Sequence, residues 1–361
     1  MKVLHVETGR QLYGGPQQVL YLLEGLQRNG IDNVLVCPQD AAIASVAAKQ
    51  GLAVRTLAYA GEHDPRLVLR LMRILQEEKA DLVHVHGRRG ADTWGGFAAA
   101  RAGIPAILSR RVDNPMHRWQ AAVLSRLFTR IVGVSSAIID ELVVSGIAAA
   151  RIARIPDAVD ASAFSAAPDC NTFRADFGLQ PDAIVAGIVA QLIERKGHAY
   201  LLSALATLRD SHPRLRLLVF GKGPLETELQ QQVKALGLES MVIFAGFRED
   251  LDDYLGCLDL LVHPAVAEGM GVAVLKAGAA GVAVAAFAAG GVREVIIDEE
   301  TGLLIPTGDT EGLAAAIARL ADDPALRKQL GTRAQAHVRE HFSVDAMVQA
   351  HAALYASVCK D

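Results

Sequence analysis

Between the apolar run 258–263 and the small-residue stretch 272–280, the chain places one carboxylate and two glycines in four residues, Glu268-Gly269-Met270-Gly271. A strand that ends in glycines at the start of a helix presents free backbone N–H groups and the positive end of a helix dipole. That is anion-binding chemistry. Gly290-Gly291, after the apolar run 282–286 and before Val292, repeats the arrangement. Lys196 beside Gly197 adds an ammonium, a compact charge suited to phosphate oxygens. In the first half, Gly14-Gly15 separates a strand-like segment from a helix-like one, and residues 81–86 read DLVHVH. His84 and His86, two residues apart, point to one face of that strand. His86 stands at its carboxyl end, where ligands of α/β proteins bind, whereas His84 reads as a hydrogen-bonded core histidine.

Spacing argues against other chemistries. Residues 8–15, TGRQLYGG, do not fit the dinucleotide pattern G-x-G-x-x-G, and after Gly221-Lys222-Gly223 the third glycine position holds Glu226. A Walker A loop, a nucleophile elbow and a metal motif are all absent from the sequence. Cys37, Cys170, Cys257 and Cys359 have neither C-x-x-C nor zinc spacing, so they read as reduced thiols. What remains is the binding of an anion across a cleft by a few polar groups.

Those groups need a scaffold, and the periodicity supplies one. Strand-like runs at 3–7, 34–37, 81–86, 106–109 and 131–134 alternate with helical spacing at 17–28, 43–50, 67–78, 93–102, 116–128 and 136–144. A polar, proline-bearing passage, 155–171, reads as a linker. The alternation then restarts, with strands at 184–190, 216–221, 242–245, 258–263 and 282–286 and helices among them. Repeated strand–helix units predict an α/β protein of two Rossmann-like, doubly wound parallel sheets. The boundaries expected are 1–163 and 164–341, with the helical stretch 342–361 returning to the first domain.

Composition agrees. At 361 residues the chain is comfortable for two domains, and 51% hydrophobic residues with only 5% aromatic suit close helix-on-sheet packing. The net charge is −4, yet between Arg101 and Arg130 the residues Arg110, Arg111, Arg118 and Arg126 face only Asp113. This is either a solvated face or a basic surface for an acidic acceptor or an anionic membrane. Nucleic acid is not expected, because the chain is acidic overall and no aromatic residues interleave the basic ones. No apolar run approaches the roughly 20 residues a membrane span needs, and neither terminus reads as a targeting signal. A cytoplasmic protein is therefore expected, with at most a peripheral encounter at the inner membrane face.

Taken in order, the motifs resemble the retaining, nucleotide-sugar-dependent glycosyltransferases of the GT-B fold, in the group called family 4. Gly14-Gly15 is similar to the family's N-terminal glycine loop, and residues 81–86 to its D-x-V-H-x-H strand. Residues 155–160 (IPDAVD) resemble I-P-N-G-V-D, and Leu192 through Lys196-Gly197 resembles G-R-L-x-x-x-K-G. Residues 220–224 (FGKGP) resemble V-G-x-G-P, and Glu268-Gly269-Met270-Gly271 resembles E-G-x-G. The resemblance implies transfer of a sugar from a nucleoside diphosphate to a hydroxyl with retention, in cell-surface polysaccharide or lipopolysaccharide synthesis. The sugar nucleotide is a co-substrate, and no cofactor or metal is implied. It also implies roles for Lys196 and Gln191 at the diphosphate, and for Glu268 and His86 at the donor sugar and reaction centre. The backbone amides of Gly14, Gly15, Gly269, Met270, Gly271 and Val272 would donate to phosphate or sugar oxygens. Acceptor contacts, to a glycan or lipid-linked acceptor, would come from the first domain, with residues 109–113, Arg110 and Arg111 among them, and the helix expected at 116–128 as the candidate surface.

The chain departs from the pattern at three places. Lys276 stands where the family has a second glutamate that grips the ribose, Gln191 where it has an arginine, and Asp157-Ala158 where it has Asn-Gly. An ammonium only donates hydrogen bonds, so Lys276 is no neutral replacement for a carboxylate. One cation lost and one gained suggests that Lys276 replaces the missing arginine at the phosphate. The alternatives are a catalytically degenerate scaffold and a sugar-nucleotide epimerase or hydrolase.

Overall fold

A computed structural model of the chain describes residues 1–86, 90–112, 115–164 and 168–359. Asp113, in the segment assigned above to the acceptor, lies outside the described residues. The chain divides into two compact units, Met1–Ala158 with Val344–Asp361, and Val159–Ser343.

The first unit is built on β1 (Lys2–Val6), β2 (Asp32–Pro38), β3 (Ala53–Leu57), β4 (Leu82–Val85), β5 (Ala106–Arg110), β6 (Arg130–Gly133) and β7 (Ile152–Arg154). They form one parallel sheet in the order β3-β2-β1-β4-β5-β6-β7. The inner strands are buried at almost every position, because helices cover both faces of a parallel sheet. Their continuous apolar runs made them legible. The edge strand β3, with sequence AVRTL and only Leu57 buried, was not expected. The chain winds outward from β1 to β3, then crosses back and winds outward from β4 to β7. The order therefore reverses between β1 and β4, and such a reversal leaves a crevice at the carboxyl ends of the two strands.

The Val344–Val358 helix completes this unit by burying Met347, Val348, His351, Tyr355 and Val358. It lies against the Gly14–Arg28 helix so closely that a Cβ at Gly25 would stand 2.3 Å from Cγ2 of Val348. Glycine at 25 is thus a packing requirement.

The second unit repeats the design with β8 (Ile184–Val189), β9 (Leu215–Phe220), β10 (Val242–Gly246), β11 (Leu260–His263), β12 (Ala283–Phe287) and β13 (Leu303–Ile305). The order β10-β9-β8-β11-β12-β13 reverses between β8 and β11. The expected linker, 155–171, runs at its last two residues into a helix, Cys170–Asp176. The expectation of reduced thiols is corrected for one pair. Cys170 on that helix and Cys257 at the end of the Leu255–Cys257 turn form a disulfide across 87 residues of sequence, with Cα atoms 5.2 Å apart. Sequence spacing carries no sign of two thiols that only folding brings together. Cys37 and Cys359 are free.

Replacing Gly25 by alanine is expected to cost about 1–3 kcal/mol, the usual penalty for overpacking. In a double-mutant cycle read by urea denaturation, Gly25→Ala with Val348→Ala should destabilise by less than the sum of the two single changes.

Candidate active site

In the second unit the polar residues gather where strand order reverses. The segment leaving β8 carries Gln191 and the single turn Glu194–Lys196, and the segment leaving β11 carries Pro264 through Gly271. Gly197 brings the two together. It adopts a left-handed φ of +73°, and a Cβ there would stand 1.8 Å from the carbonyl oxygen of Pro264. Only glycine tolerates both conditions. The Val266 amide, donating to the Arg195 carbonyl at 2.9 Å, fastens the contact.

That contact delivers Lys196 to Glu268. The ammonium donates to Oε2 of Glu268, while Nε2 of His263, the last residue of β11, lies 3.0 Å from the same oxygen. The Gly269 amide donates to Oε1 at 3.2 Å. The Lys196 and Glu268 side chains are 13% and 12% exposed, so the pair is nearly out of water. Burial alone would raise the carboxyl pKa. The His263 hydrogen bond and the Lys196 charge outweigh it and hold Glu268 well below the ordinary carboxylate range. An ionised carboxylate only accepts, so the proton of the His263 contact sits on Nε2.

Around this cluster, Gly271 (φ +87°) caps the Val272–Ala279 helix, and Met270 is buried beneath the turn. The amides of Gly269, Met270, Gly271 and Val272 therefore lie at or beside a helix N-terminus, as expected. Gln191 is half-buried beyond the end of β8. Lys276, more than a turn into the helix, donates to Oδ2 of Asp252 at 2.6 Å, so its charge is matched locally.

The first unit collects histidines at its own reversal. The register pairs His5 of β1 with His84 of β4. His84 is buried, with Nδ1 2.5 Å from the Tyr355 hydroxyl and Nε2 2.8 Å from Oγ of Ser109, in keeping with a core role. His86, 5% exposed just past β4, places Nε2 2.9 Å from Nδ1 of His5. Burial first, then the charges of His84 and Arg111, push its pKa well below that of a free histidine. Ligand atoms of His5, His84 and His86 lie within 4.8 Å of one another, a spacing a metal could use. The hydrogen bonds just given engage the His84 lone pair and one of the two on His5 and His86, and the Arg111 cation beside them opposes a dication.

Gly14 and Gly15 do not form a loop, as the sequence suggested. They are the first two residues of the Gly14–Arg28 helix, with no side chain crowding Gly15. The expected acceptor-facing loop at Arg110 and Arg111 also needs correcting. Arg110 is the last residue of β5 and is 8% exposed. Arg111 turns inward to Asp157, its Nε 2.9 Å from Oδ1, with the two side chains 11% and 6% exposed. A buried carboxylate draws the guanidinium in, because neither charge is tolerable there alone. The other half of that departure, Ala158, is held through its amide and carbonyl by the buried Gln18 side chain, each bond 2.7 Å.

Four residues escaped sequence reasoning. His5 and His263 each place an imidazole inside an apolar strand, a signal that was present in the sequence. His198, 4% exposed, has both ring nitrogens without a partner among the described residues. Its pKa is pushed down to about 4 by burial, with Lys196 and His263 adding to the effect. Neither it nor Asp252 carried any local sign.

Two doubly wound parallel sheets, each with polar groups at its order reversal, define the GT-B class of architecture. Residues 13–163 match the Glycosyltransferase Family 4 description, and residues 169–337 match Glycosyl transferases group 1. The 2-deoxystreptamine glucosyltransferase of Streptomyces kanamyceticus is 31% identical over 274 residues, spanning 68% of this chain and 69% of that one. The lipopolysaccharide core biosynthesis glycosyltransferase LpsD of Rhizobium meliloti is 33% identical over 182 residues, about half of each chain at 50% and 52%. The crystal structure of Anabaena Alr3699/HepE in complex with UDP and glucose superposes with a TM-score of 0.89 at 22% identity, over 99% of this chain and 100% of that one. The chain belongs to the group 1 glycosyl transferases of glycosyltransferase family 4.

Because Glu268 is ionised with a depressed pKa, its contribution to stability is present above the pKa of an unfolded glutamate, about 4.3. It is lost as pH falls below that value toward the folded pKa. Glu268→Gln should cost about 1–3 kcal/mol at pH 7. It should also shallow the fall in stability below about pH 4.3, as read by chemical denaturation across pH.

Proposed function

We propose that the protein moves a sugar from a nucleoside diphosphate to an acceptor hydroxyl with retention of configuration and without a metal ion. The Lys196–Glu268–His263 cluster at the N-terminus of the Val272–Ala279 helix carries this reading. When the donor bond breaks, negative charge develops on the departing diphosphate. An ammonium and fixed backbone amides stabilise such charge without reorganising. Lys196 and the amides of Gly269, Met270, Gly271 and Val272 can do so, and they supply charge a metal would otherwise bring. Glu268 accepts from sugar hydroxyls, and its bond to His263 fixes its orientation. Val159–Ser343 is then the donor unit. The other unit receives the acceptor, and His86 and the amides of Gly14 and Gly15 are its candidate groups. The leaving phosphate itself takes the acceptor's proton.

The relatives bear on the substrates. HepE binds UDP and glucose, and LpsD acts in lipopolysaccharide core synthesis. These support a uridine diphosphate hexose as donor and a cell-surface glycan or its lipid-linked precursor as acceptor. Among the described residues no helix is long and apolar enough to cross a membrane. The Arg118–Leu127 helix nevertheless buries only Ala121 and Leu124 and leaves Trp119 67% exposed, with Arg118 and Arg126 also exposed. An exposed indole among arginines suits the headgroup region of an anionic membrane. With Arg110 and Arg111 turned inward, this helix is the better candidate for peripheral contact.

Lys196→Ala should lower kcat/KM by about 10²–10³, in the range for losing one transition-state donor, and weaken nucleoside diphosphate binding in calorimetry. Activity should survive dialysis against EDTA. A chain that binds no nucleoside diphosphate below millimolar would instead be a scaffold. Lys276→Glu separates two accounts of that position: lost diphosphate affinity means Lys276 replaces the arginine, and gained donor affinity means the site is degenerate. Trp119→Ala with Arg118→Glu should abolish co-sedimentation with anionic liposomes and leave turnover of a soluble acceptor unchanged.

A further inference from the structure

We propose that Arg111, anchored by Asp157, is a positioning residue that fixes the ring tautomer of His86. The proposal rests on the reading of His86 as a reaction-centre residue, and it concerns a partner that reading does not assign. The geometry runs in one direction. Nη1 of Arg111 stands 3.5 Å from Nδ1 of His86, while its Nε donates to Asp157 at 2.9 Å. A guanidinium has only N–H groups to present. An Nδ1–H on His86 would oppose a donor to a donor beside a full positive charge, so Nδ1 carries the lone pair and Nε2 the proton. That proton is donated to Nδ1 of His5 at 2.9 Å. His5 must then be protonated on Nε2, the ring nitrogen that is buried without a partner among the described residues. One anchored cation thus orders two imidazoles in sequence.

Burial keeps His86 neutral, and the same arrangement adds to that effect. The groups facing it are His5 from β1, His84 from its own strand, Arg111 from the segment after β5 and His351 from the Val344–Val358 helix. All are basic, and the Asp157 carboxylate pairs with Arg111. Asp157 is where the chain departs from the family's asparagine, and Arg111 is the cation that a carboxylate at that position holds.

Histidine ¹⁵N spectra of the full chain test the idea independently of turnover. In the wild type, His86 should show a protonated Nε2 and a bare Nδ1, without titrating between pH 5 and 8. Arg111→Met should populate the Nδ1–H tautomer and, with burial unchanged, leave His86 neutral across that window. It should lower kcat about tenfold with the donor KM little changed. Arg111→Lys, which keeps the charge but loses the fork, should preserve neutrality and only part of the tautomer bias. Asp157→Asn should act in the same direction as Arg111→Met, and less strongly. An unchanged His86 ¹⁵N pattern in folded Arg111→Met overturns the proposal. So does stoichiometric metal in the purified protein, which would claim the same lone pairs. A tautomer shift in a chain that binds no nucleoside diphosphate would refute the proposed function and leave this inference standing.

Discussion

The contact between Gly197 and the Pro264 carbonyl decides how the second unit's site is built. A side chain at 197 would collide with backbone, so the turn after β8 could not settle on the segment after β11. Without that settling, Lys196 and Glu268 would each face the loss of water alone. Together they survive at about one-eighth exposure, because each supplies the charge the other needs and His263 fills a remaining acceptor position. A glycine's missing methylene thus permits a desolvated ion pair, and the ion pair keeps a carboxylate charged where burial would neutralise it.

The two units solve a shared problem in different chemical terms. Both are parallel sheets whose strand order reverses once, and both bring two neighbouring strands to an end side by side there. In the second unit the space is furnished with full charges of opposite sign and a helix N-terminus. In the first it is furnished with neutral imidazoles, held by Tyr355, Ser109 and one another, with the Arg111–Asp157 pair beside them. Fixed charge suits a diphosphate. On the proposed reading, neutral, ordered hydrogen-bonding rings suit the orienting of an acceptor hydroxyl.

Most of this frame could be read from the chain, for physical reasons. Inner strands of a parallel sheet are apolar on both faces, so β4, β11 and their neighbours stood out, as did Glu268 and Lys196 at their glycine-bearing ends. Strands at the edge or of only three residues, β3, β7 and β13, lack that signature and were missed. Arg111 was misplaced because local composition shows a basic run and cannot show that Asp157, 46 residues later, draws one of its members inward. Lys276 was noticed as a departure, but its partner Asp252 stands on a different helix and announces nothing in sequence. Long-range partners, the disulfide among them, were invisible for the same reason. Residue type identifies a chemical group, and topology alone supplies its neighbour.

The placement of the Val344–Val358 helix has a consequence for how the protein comes into being. The second unit is continuous in sequence, whereas the first is interrupted by it and lacks the Val344–Val358 helix until those residues have been made. A ribosome therefore releases everything the second unit needs before it releases what the first unit needs, reversing the usual N-to-C order of domain completion. Until then Gly25 faces no Val348, and His84 has no Tyr355 hydroxyl beside it. The growing first half must wait with its histidine strands laid out and part of their covering still unsynthesised.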